Sequence, residues 1–291
     1  MIYDCFTFWN ETEILELRLG LLYNFVDYFV ICESLDSHSK KIRKNEYILE
    51  KNKNLYDKYW DKIIYLKIDK LEFDGDSGYD ISGNKTVHWK NENYQRCYLY
   101  NGFKNANDDD IIAISDLDEI WNPQIIPVLR TIIDKHKYVG CIMNLFYYYV
   151  NTLKLQPWKG TYLTYKKNII ENKYIQLLRN SRERLPVYLN NSGWHYSWMG
   201  KIDKIREKFL CIAEHDLIDE HNNIENISNC VNNITDLFNR KGRLGEISVV
   251  ELNNSNSPPN IFAFIKKYPY LEYKSIPSSN EVKENAENEK I

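Results

Sequence analysis

The stretch that decides the fold is residues 111–119, which read IIAISDLDE. Four apolar residues are followed at once by Ser115 and then by two aspartates, with one residue between them. A short apolar run of this kind predicts a strand buried within a sheet, and the polar residues predict where that strand ends. Ligands of open α/β sheets bind at the carboxyl ends of the strands, so Asp116 and Asp118 are candidate binding residues.

Three earlier segments have the same strand character, namely residues 2–8, 28–33 and 62–68. A run with apolar residues at helical spacing, starting at Ile14, separates the first two of them. This alternation of strands and helices predicts an α/β fold, with a mostly parallel central sheet flanked by helices.

The rest of the chain is less regular. We expect residues 158–190 to form an antiparallel hairpin region and residues 202–211 a charged helix. Residues 69–89 are rich in Asp, Gly and Ser and are expected to form a mobile loop over a binding site. Residues 1–277 are expected to form one domain, and the polar residues 278–291 a disordered tail.

The composition excludes some classes of protein. A formal net charge of −3 argues against a nucleic-acid-binding protein, which needs a basic surface. None of the six cysteines forms a Cys-x-x-Cys pair, which is typical of free thiols in a reducing compartment. The first residues lack a basic segment followed by a long apolar one, so we expect a soluble cytoplasmic protein without a membrane anchor.

Two carboxylates with one residue between them can approach the same hard cation. Mg²⁺ and Mn²⁺ prefer such oxygen ligands, and they complete their coordination with diphosphate oxygens and water. Asp116 and Asp118 are therefore predicted to hold Mn²⁺ or Mg²⁺ together with the diphosphate of a nucleotide. The alternative interpretation is an acidic turn that merely follows a strand.

Polar residues after the first two strands are candidates for binding the nucleotide. Asn10 and Glu11 follow the first strand, and Glu33 ends the second. Asn10 is predicted to bind a base or ribose and Glu33 a ribose hydroxyl, although the same residues could cap a helix or lie on the surface. Arg96 shares a helix face with Glu92 and is predicted to bind phosphate or to orient Asp116.

The segment 193–198 places a histidine among aromatic residues. In a strand, His195 would lie on the face opposite Trp194 and Trp198. We predict that His195 binds the metal or the diphosphate, and that Trp194 or Trp198 contacts an acceptor sugar. His215 is a second candidate metal ligand, whereas a core position is the alternative for the aromatic residues.

Four stretches in the same order, residues 3–11, 26–34, 115–120 and 193–198, together resemble glycosyltransferase family 17. Members of that family include β-1,4-mannosyl-glycoprotein 4-β-N-acetylglucosaminyltransferase. The resemblance covers roughly residues 1–220. It implies a GT-A-type, Rossmann-like fold and an inverting transfer of a sugar from a nucleotide sugar, typically UDP-GlcNAc, to a glycan acceptor.

The resemblance also points to a general base, which inversion requires near the acceptor hydroxyl. Relatives carry a His-x-Glu pattern after the Trp-His motif, whereas His215 is followed here by Asp216 and Leu217. Asp216, and after it Glu214, are the candidates closest to the position of that carboxylate. Animal members are membrane-anchored, so the expected absence of an anchor favours a bacterial or viral enzyme that builds surface glycans.

Two other functions are compatible with these residues. A metal-dependent nucleotide-sugar hydrolase would use the same acidic site with water as the acceptor. A carbohydrate-binding module of transferase-like fold, without activity, would keep the aromatic residues but would not need the metal. Metal-dependent nucleotide binding and an ordered acceptor cleft distinguish the transferase from both.

Overall fold

The computed structural model describes residues 1–73, 87–212, 223–242 and 245–274, apart from the side chain of Val87. The strands, in chain order, are β1 (Ile2–Phe8), β2 (Tyr28–Ser34), β3 (Ile63–Ile68), β4 (Ile111–Asp116), β5 (Glu119–Trp121), β6 (Tyr138–Tyr147), β7 (Thr152–Lys154), β8 (Trp158–Tyr165), β9 (Tyr188–Leu189), β10 (Gly193–Ser197) and β11 (Ile247–Val249).

Helices connect and cover these strands. The α-helices are α1 (Thr12–Leu22), α2 (Ile48–Lys51), α3 (Lys53–Tyr56), α4 (Val87–Tyr98), α5 (Tyr100–Phe103), α6 (Ile126–His136), α7 (Lys173–Asn180), α8 (Ile202–Cys211), α9 (Ile224–Asn233) and α10 (Ile261–Lys267). Short 3₁₀ turns lie at Asp57–Lys62, Pro123–Ile125, Lys166–Asn168, Arg182–Arg184 and Pro269–Leu271.

The sheet confirms the predicted α/β architecture. Its strands follow the order β11-β7-β6-β8-β4-β1-β2-β3, and β4, β1, β2 and β3 run parallel to one another. β8 and β6 continue the sheet in antiparallel fashion, and β10 runs parallel to β6 and antiparallel to β5. The four predicted strands thus form one half of the sheet, with their carboxyl ends at the same edge.

One part of the sequence folds differently from the prediction. The expected hairpin at residues 158–190 is instead a single long strand, β8, followed by the helix α7 and the short strand β9. The predicted helix at 202–211 is confirmed as α8. Residues 74–86, which make up most of the expected mobile loop, and residues 275–291, which include the expected tail, lie outside the described residues.

Side chains of the parallel strands alternate between the two faces of the sheet. Phe6 lies in a buried cluster that includes Leu15 of α1 and residues of α6, whereas its neighbour Cys5 lies in a second cluster with Phe103 of α5 and Ile175 of α7. Helices therefore cover both faces of the sheet. No helix in the described ranges is long and apolar enough to cross a membrane.

A buried arginine ties α1 to the sheet. The guanidinium of Arg18 donates to both carboxylate oxygens of Asp4 in β1, at 2.8 and 2.6 Å, and neither side chain is exposed. It also donates to the hydroxyl of Ser115 and to the backbone carbonyls of Asp116, Leu117 and Glu119. Arg18 thus connects the turn after β4 to α1, on which it lies, and to β1 through Asp4.

This network predicts a large effect on stability. Replacing Arg18 with Met leaves the Asp4 carboxylate buried without its counter-ion and removes a donor from three carbonyls, of which that of Glu119 still accepts from the hydroxyl of Thr161 at 2.9 Å. Loss of one partner from a buried ion pair costs roughly 3–5 kcal/mol. Urea unfolding of Arg18→Met should show a decrease of that size in the free energy of unfolding.

The control is Arg206→Met, which changes an exposed arginine of α8. Its free energy of unfolding should stay within about 0.5 kcal/mol of wild type. An Arg18→Met protein as stable as this control would show that the buried network does not support the fold.

Candidate active site

A cleft of about 650 Å³ opens at the carboxyl ends of β1 and β4. Trp9 borders it after β1, Asp116 and Asp118 after β4, and α4 contributes one helix face. The other wall comes from α7, β10 and α8, which belong to the second half of the chain. The sequence prediction that a site forms where β4 ends therefore agrees with the position of this cleft.

Asp116 is held between two arginines. Arg96 of α4 donates to one carboxylate oxygen at 2.9 Å, and Arg179 of α7 donates to the other. Arg96 is bound on its own helix by Glu92 at 2.6 Å, as the predicted helix face requires. Burial alone would raise the pKa of Asp116, but the guanidinium groups of Arg179 and Arg96 outweigh it and lower the pKa to about 2.

Asp118 has a different pair of partners. Its Oδ2 lies 2.9 Å from the ammonium group of Lys208 in α8, and its Oδ1 lies 3.4 Å from Nε2 of His195 in β10. Burial opposes ionisation, but Lys208 and His195 lower the pKa of Asp118 well below its usual range. The same contacts raise the pKa of Lys208, since Asp118 and Glu11 outweigh its desolvation. Asp118 is therefore a carboxylate at neutral pH.

Glu119 connects the surroundings of the two aspartates, although it is not exposed to solvent. Its carboxylate accepts from Trp158 at 2.7 Å, from Arg179 at 3.2 Å and from the backbone N–H of Asp116 at 3.1 Å. The Trp158 ring in turn packs on the ring of His195, with centroids 4.8 Å apart. Glu119 thus fixes the arginine beside Asp116 and the platform on which His195 rests.

Asp118 and His195 are the described residues that best suit a metal ion. Adjacent ligands of an octahedral ion with bonds of about 2.1 Å lie about 3 Å apart, close to the 3.4 Å between Asp118 Oδ1 and His195 Nε2. Within the described residues, His, Cys, Asp and Glu side chains form no group of three or more around a possible metal position. A metal here would need phosphate oxygens or water for its remaining ligands.

Several predicted residues lie at the cleft and others do not. The predicted residues that line the cleft are Glu11, Arg96, Asp116, Asp118, His195 and Trp198. Asn10 lines a small neighbouring pocket with Glu11 instead of the cleft itself. Glu214, His215 and Asp216 lie outside the described residues.

The placement of Glu33 does not fit the predicted ribose contact. Its carboxylate is fully buried and accepts from Lys44, from the hydroxyl of Tyr65 and from two backbone N–H groups at the start of α2. All of its acceptor capacity is therefore used within the fold. Trp194 likewise lies in the main hydrophobic core, 5% exposed and away from the cleft lining, so it does not fit the predicted contact with an acceptor sugar.

The sequence prediction omitted several side chains of the second wall, namely Trp158, Arg179, Arg182 and Lys208. Lys208 lies on the predicted helix 202–211, but nothing in the sequence distinguishes it from Lys204, the other lysine of that helix. Arg179 and Arg182 are three residues apart in a segment that was expected to form a hairpin. The signal that identifies them is their position beside Asp116, which only the folded chain shows.

The electrostatics of Asp116 predict a specific pH dependence. The folded pKa of about 2 lies below the value of about 3.9 in unfolded chains. A depressed pKa contributes stability that is present above about pH 4 and is lost as the pH falls towards 2. Asp116→Asn should therefore be about 2 kcal/mol less stable than wild type at pH 7, and this difference should close by pH 2.

Urea unfolding at pH 7, 5, 3 and 2 measures this difference, with Asp203→Asn on the exposed face of α8 as the matched control. The control should follow wild type at every pH. A difference between wild type and Asp116→Asn that stays constant over the series would contradict an origin in the charge of Asp116.

Comparison with known proteins places this cleft in context. The model of glycosyltransferase family 17 matches residues 1–242, whereas a comparison with curated proteins gives no significant match. Similar solved structures include TarS 1–349 of S. aureus in complex with UDP-GlcNAc (11% identity, 78% of this chain and 70% of that chain, TM-score 0.38). They also include glucosyl-3-phosphoglycerate synthase from Mycobacterium tuberculosis in complex with Mn²⁺, UDP and phosphoglyceric acid (11% identity, 90% and 91%, TM-score 0.33).

The family match confirms the resemblance drawn from the sequence. It extends over residues 1–242 of 291 and so includes β1, β4, β10, α7 and α8, the elements that build the cleft. The chain therefore belongs to glycosyltransferase family 17.

Proposed function

We propose that this chain transfers a sugar from UDP-GlcNAc to a hydroxyl group of a glycan acceptor, with inversion and with Mn²⁺ or Mg²⁺ as cofactor. The observation that carries the proposal is the pair of aspartates after β4. Arginines hold Asp116, and a histidine and a lysine hold Asp118, at the edge of the sheet where nucleotides bind.

The cations of the cleft suit a diphosphate leaving group. Lys208 and Arg96 lie on either side of the two aspartates, and Arg96 is 3% exposed. Its Nε and Nη1 groups are buried and have no hydrogen-bond partner among the described residues. Preorganised donors of this kind stabilise the charge that develops as a sugar–phosphate bond breaks. The same donors would hold UDP after the transfer.

Asp118 and His195 would hold the metal, since their facing atoms have the spacing of two adjacent ligands. Lys208 binds the other oxygen of Asp118 and can stay in place. A divalent ion at this position supplies charge neutralisation for the departing diphosphate. Asp116, already occupied by two arginines, would contribute by orienting them and by binding water or ribose.

The two walls of the cleft suggest where the nucleoside of the donor and the acceptor would bind. The nucleoside fits the wall formed by Trp9, His38 and Gln95, which lies next to the parallel strands. The acceptor fits the opposite wall, where Trp198 presents an aromatic ring next to Phe209. Asp216 and Glu214 remain the predicted general bases, because relatives carry a carboxylate near this point of the sequence.

Loss of Asp118 should abolish the effect of the metal on donor binding. Asp118→Asn keeps the shape of the side chain but removes the charge that would bind the ion. Calorimetric titration of UDP-GlcNAc, with Mn²⁺ and with EDTA, should show that Mn²⁺ tightens binding to wild type by about tenfold or more and has no effect on the variant.

Asp203→Asn, on the exposed face of α8, is the matched control and should respond to Mn²⁺ as wild type does. An Asp118→Asn protein that keeps the full response to Mn²⁺ would refute the assignment of this residue to the metal.

The role of His195 is tested by the amount of metal that the enzyme needs. His195→Gln retains a polar side chain but removes the imidazole that faces Asp118. We expect the Mn²⁺ concentration for half-maximal UDP release from UDP-GlcNAc to rise by about 10- to 100-fold, with little change in melting temperature. His136→Gln, at the end of α6 and outside the cleft, is the control. An unchanged Mn²⁺ requirement, or a variant that unfolds, would assign His195 a structural role.

A further inference from the structure

Arg182 is the arginine of the cleft whose charge is least satisfied. It lies in the 3₁₀ turn Arg182–Arg184 and lines the cleft, with its side chain 24% exposed. Its closest carboxylate oxygens, on Glu119 and Glu183, are both 3.9 Å away. Within the described residues its guanidinium donates no hydrogen bond, whereas Arg96 and Arg179 are both bound to Asp116.

Trp158 holds the guanidinium of Arg182 in a defined orientation. The central carbon of that group lies 4.5 Å from the centroid of the Trp158 ring. The ring itself is fixed, because its N–H donates to the buried Glu119 at 2.7 Å. An arginine stacked on an aromatic face keeps its N–H edges free, and this planar fork matches the oxygens of a phosphate or carboxylate.

The charges around Arg182 also favour an anion. Burial and the neighbouring guanidinium of Arg179 lower the pKa of Arg182, and the carboxylates of Glu119 and Asp116 offset this only in part. Glu119 already binds Arg179 and Trp158, so it is not free to turn towards Arg182. An anionic group bound from the cleft would supply the missing counter-charge.

The position of Arg182 indicates which substrate would supply that anion. The turn 182–184 follows α7 and β8, on the antiparallel side of β4, whereas the proposed nucleoside wall follows β1 and β2. Lys208 and Arg96, with the metal held by Asp118 and His195, already form the proposed diphosphate site. From this geometry, and given the proposed function, we propose that Arg182 on Trp158 is a subsite for a phosphate or carboxylate group on the acceptor, and that the acceptor is an acidic glycan.

The test compares Arg182→Gln with Arg184→Gln, since Arg184 lies in the same turn but is exposed and does not line the cleft. Mannose 6-phosphate and glucuronic acid are titrated by NMR against mannose and glucose, on protein saturated with UDP and Mg²⁺. Wild type and Arg184→Gln should bind the acidic sugars about tenfold or more tightly than the neutral ones. Arg182→Gln should bind both kinds of sugar equally, and Arg182→Lys, which keeps the charge without the planar fork, should retain part of the preference.

Calorimetry with UDP separates this subsite from the donor site. UDP should bind wild type, Arg182→Gln and Arg184→Gln with the same affinity. Weaker UDP binding by Arg182→Gln would assign the arginine to the donor diphosphate and overturn the proposal, as would equal binding of acidic and neutral sugars by wild type. A wild-type chain that binds no UDP would instead contradict the proposed function, and the same sugar titrations carried out without UDP would then test the anion subsite by itself.

Discussion

Arg18 is the residue on which the geometry of the cleft depends. Its guanidinium neutralises Asp4 in the centre of the molecule and binds the backbone carbonyls of Asp116, Leu117 and Glu119. These three carbonyl oxygens point towards the buried guanidinium of Arg18 and accept hydrogen bonds from it. The side chains of the turn are consequently directed elsewhere, and the two aspartates reach the cleft. The buried ion pair of Arg18 and Asp4 thus lies beneath a strand end whose two aspartates face the cleft.

The cleft is organised around these carboxylates before any substrate binds. Asp116 is paired with two arginines, and Asp118 with a lysine and a histidine, so each negative charge has at least one cation bound to it. Glu119 links the two sets, since it binds both Arg179 and the Trp158 ring that supports His195. The cleft therefore presents cations whose positions are set by buried contacts, which is the arrangement that stabilises a developing charge at low reorganisation cost.

The parallel half of the fold could be predicted from the sequence because its strands are apolar on both faces and are separated by short connections. In the antiparallel half, the helix α7 within the segment 158–190 could not be predicted in this way. The helix α7 buries Gln176 and Arg179, so the polar residues that face the cleft interrupt the apolar pattern by which a helix is recognised. Because these polar residues are buried at the cleft, the sequence pattern of α7 does not indicate a helix.

The segment 193–198 shows both the strength and the limit of sequence patterns. Alternation predicted that His195 lies opposite the aromatic residues, and His195 does reach the cleft, whereas Trp194 packs in the core. The same alternation would have placed Trp198 in that core as well, whereas Trp198 is buried in a separate cluster with Phe209. Trp198 lies just beyond β10 with a φ of 58°, so the chain leaves the extended conformation and the indole borders the cleft. A local change of backbone conformation of this kind has no signal in the residue pattern.

In the proposed function, the turn held by Arg18 presents a metal and diphosphate site formed by Asp118 and His195. Anomalous diffraction at the manganese edge, from crystals of the chain grown with UDP and Mn²⁺, tests it most directly. We expect one manganese peak between Oδ1 of Asp118 and Nε2 of His195, in contact with the diphosphate of UDP. UDP bound in the cleft with no manganese at these two residues, or UDP bound away from the carboxyl ends of β1 and β4, would contradict it.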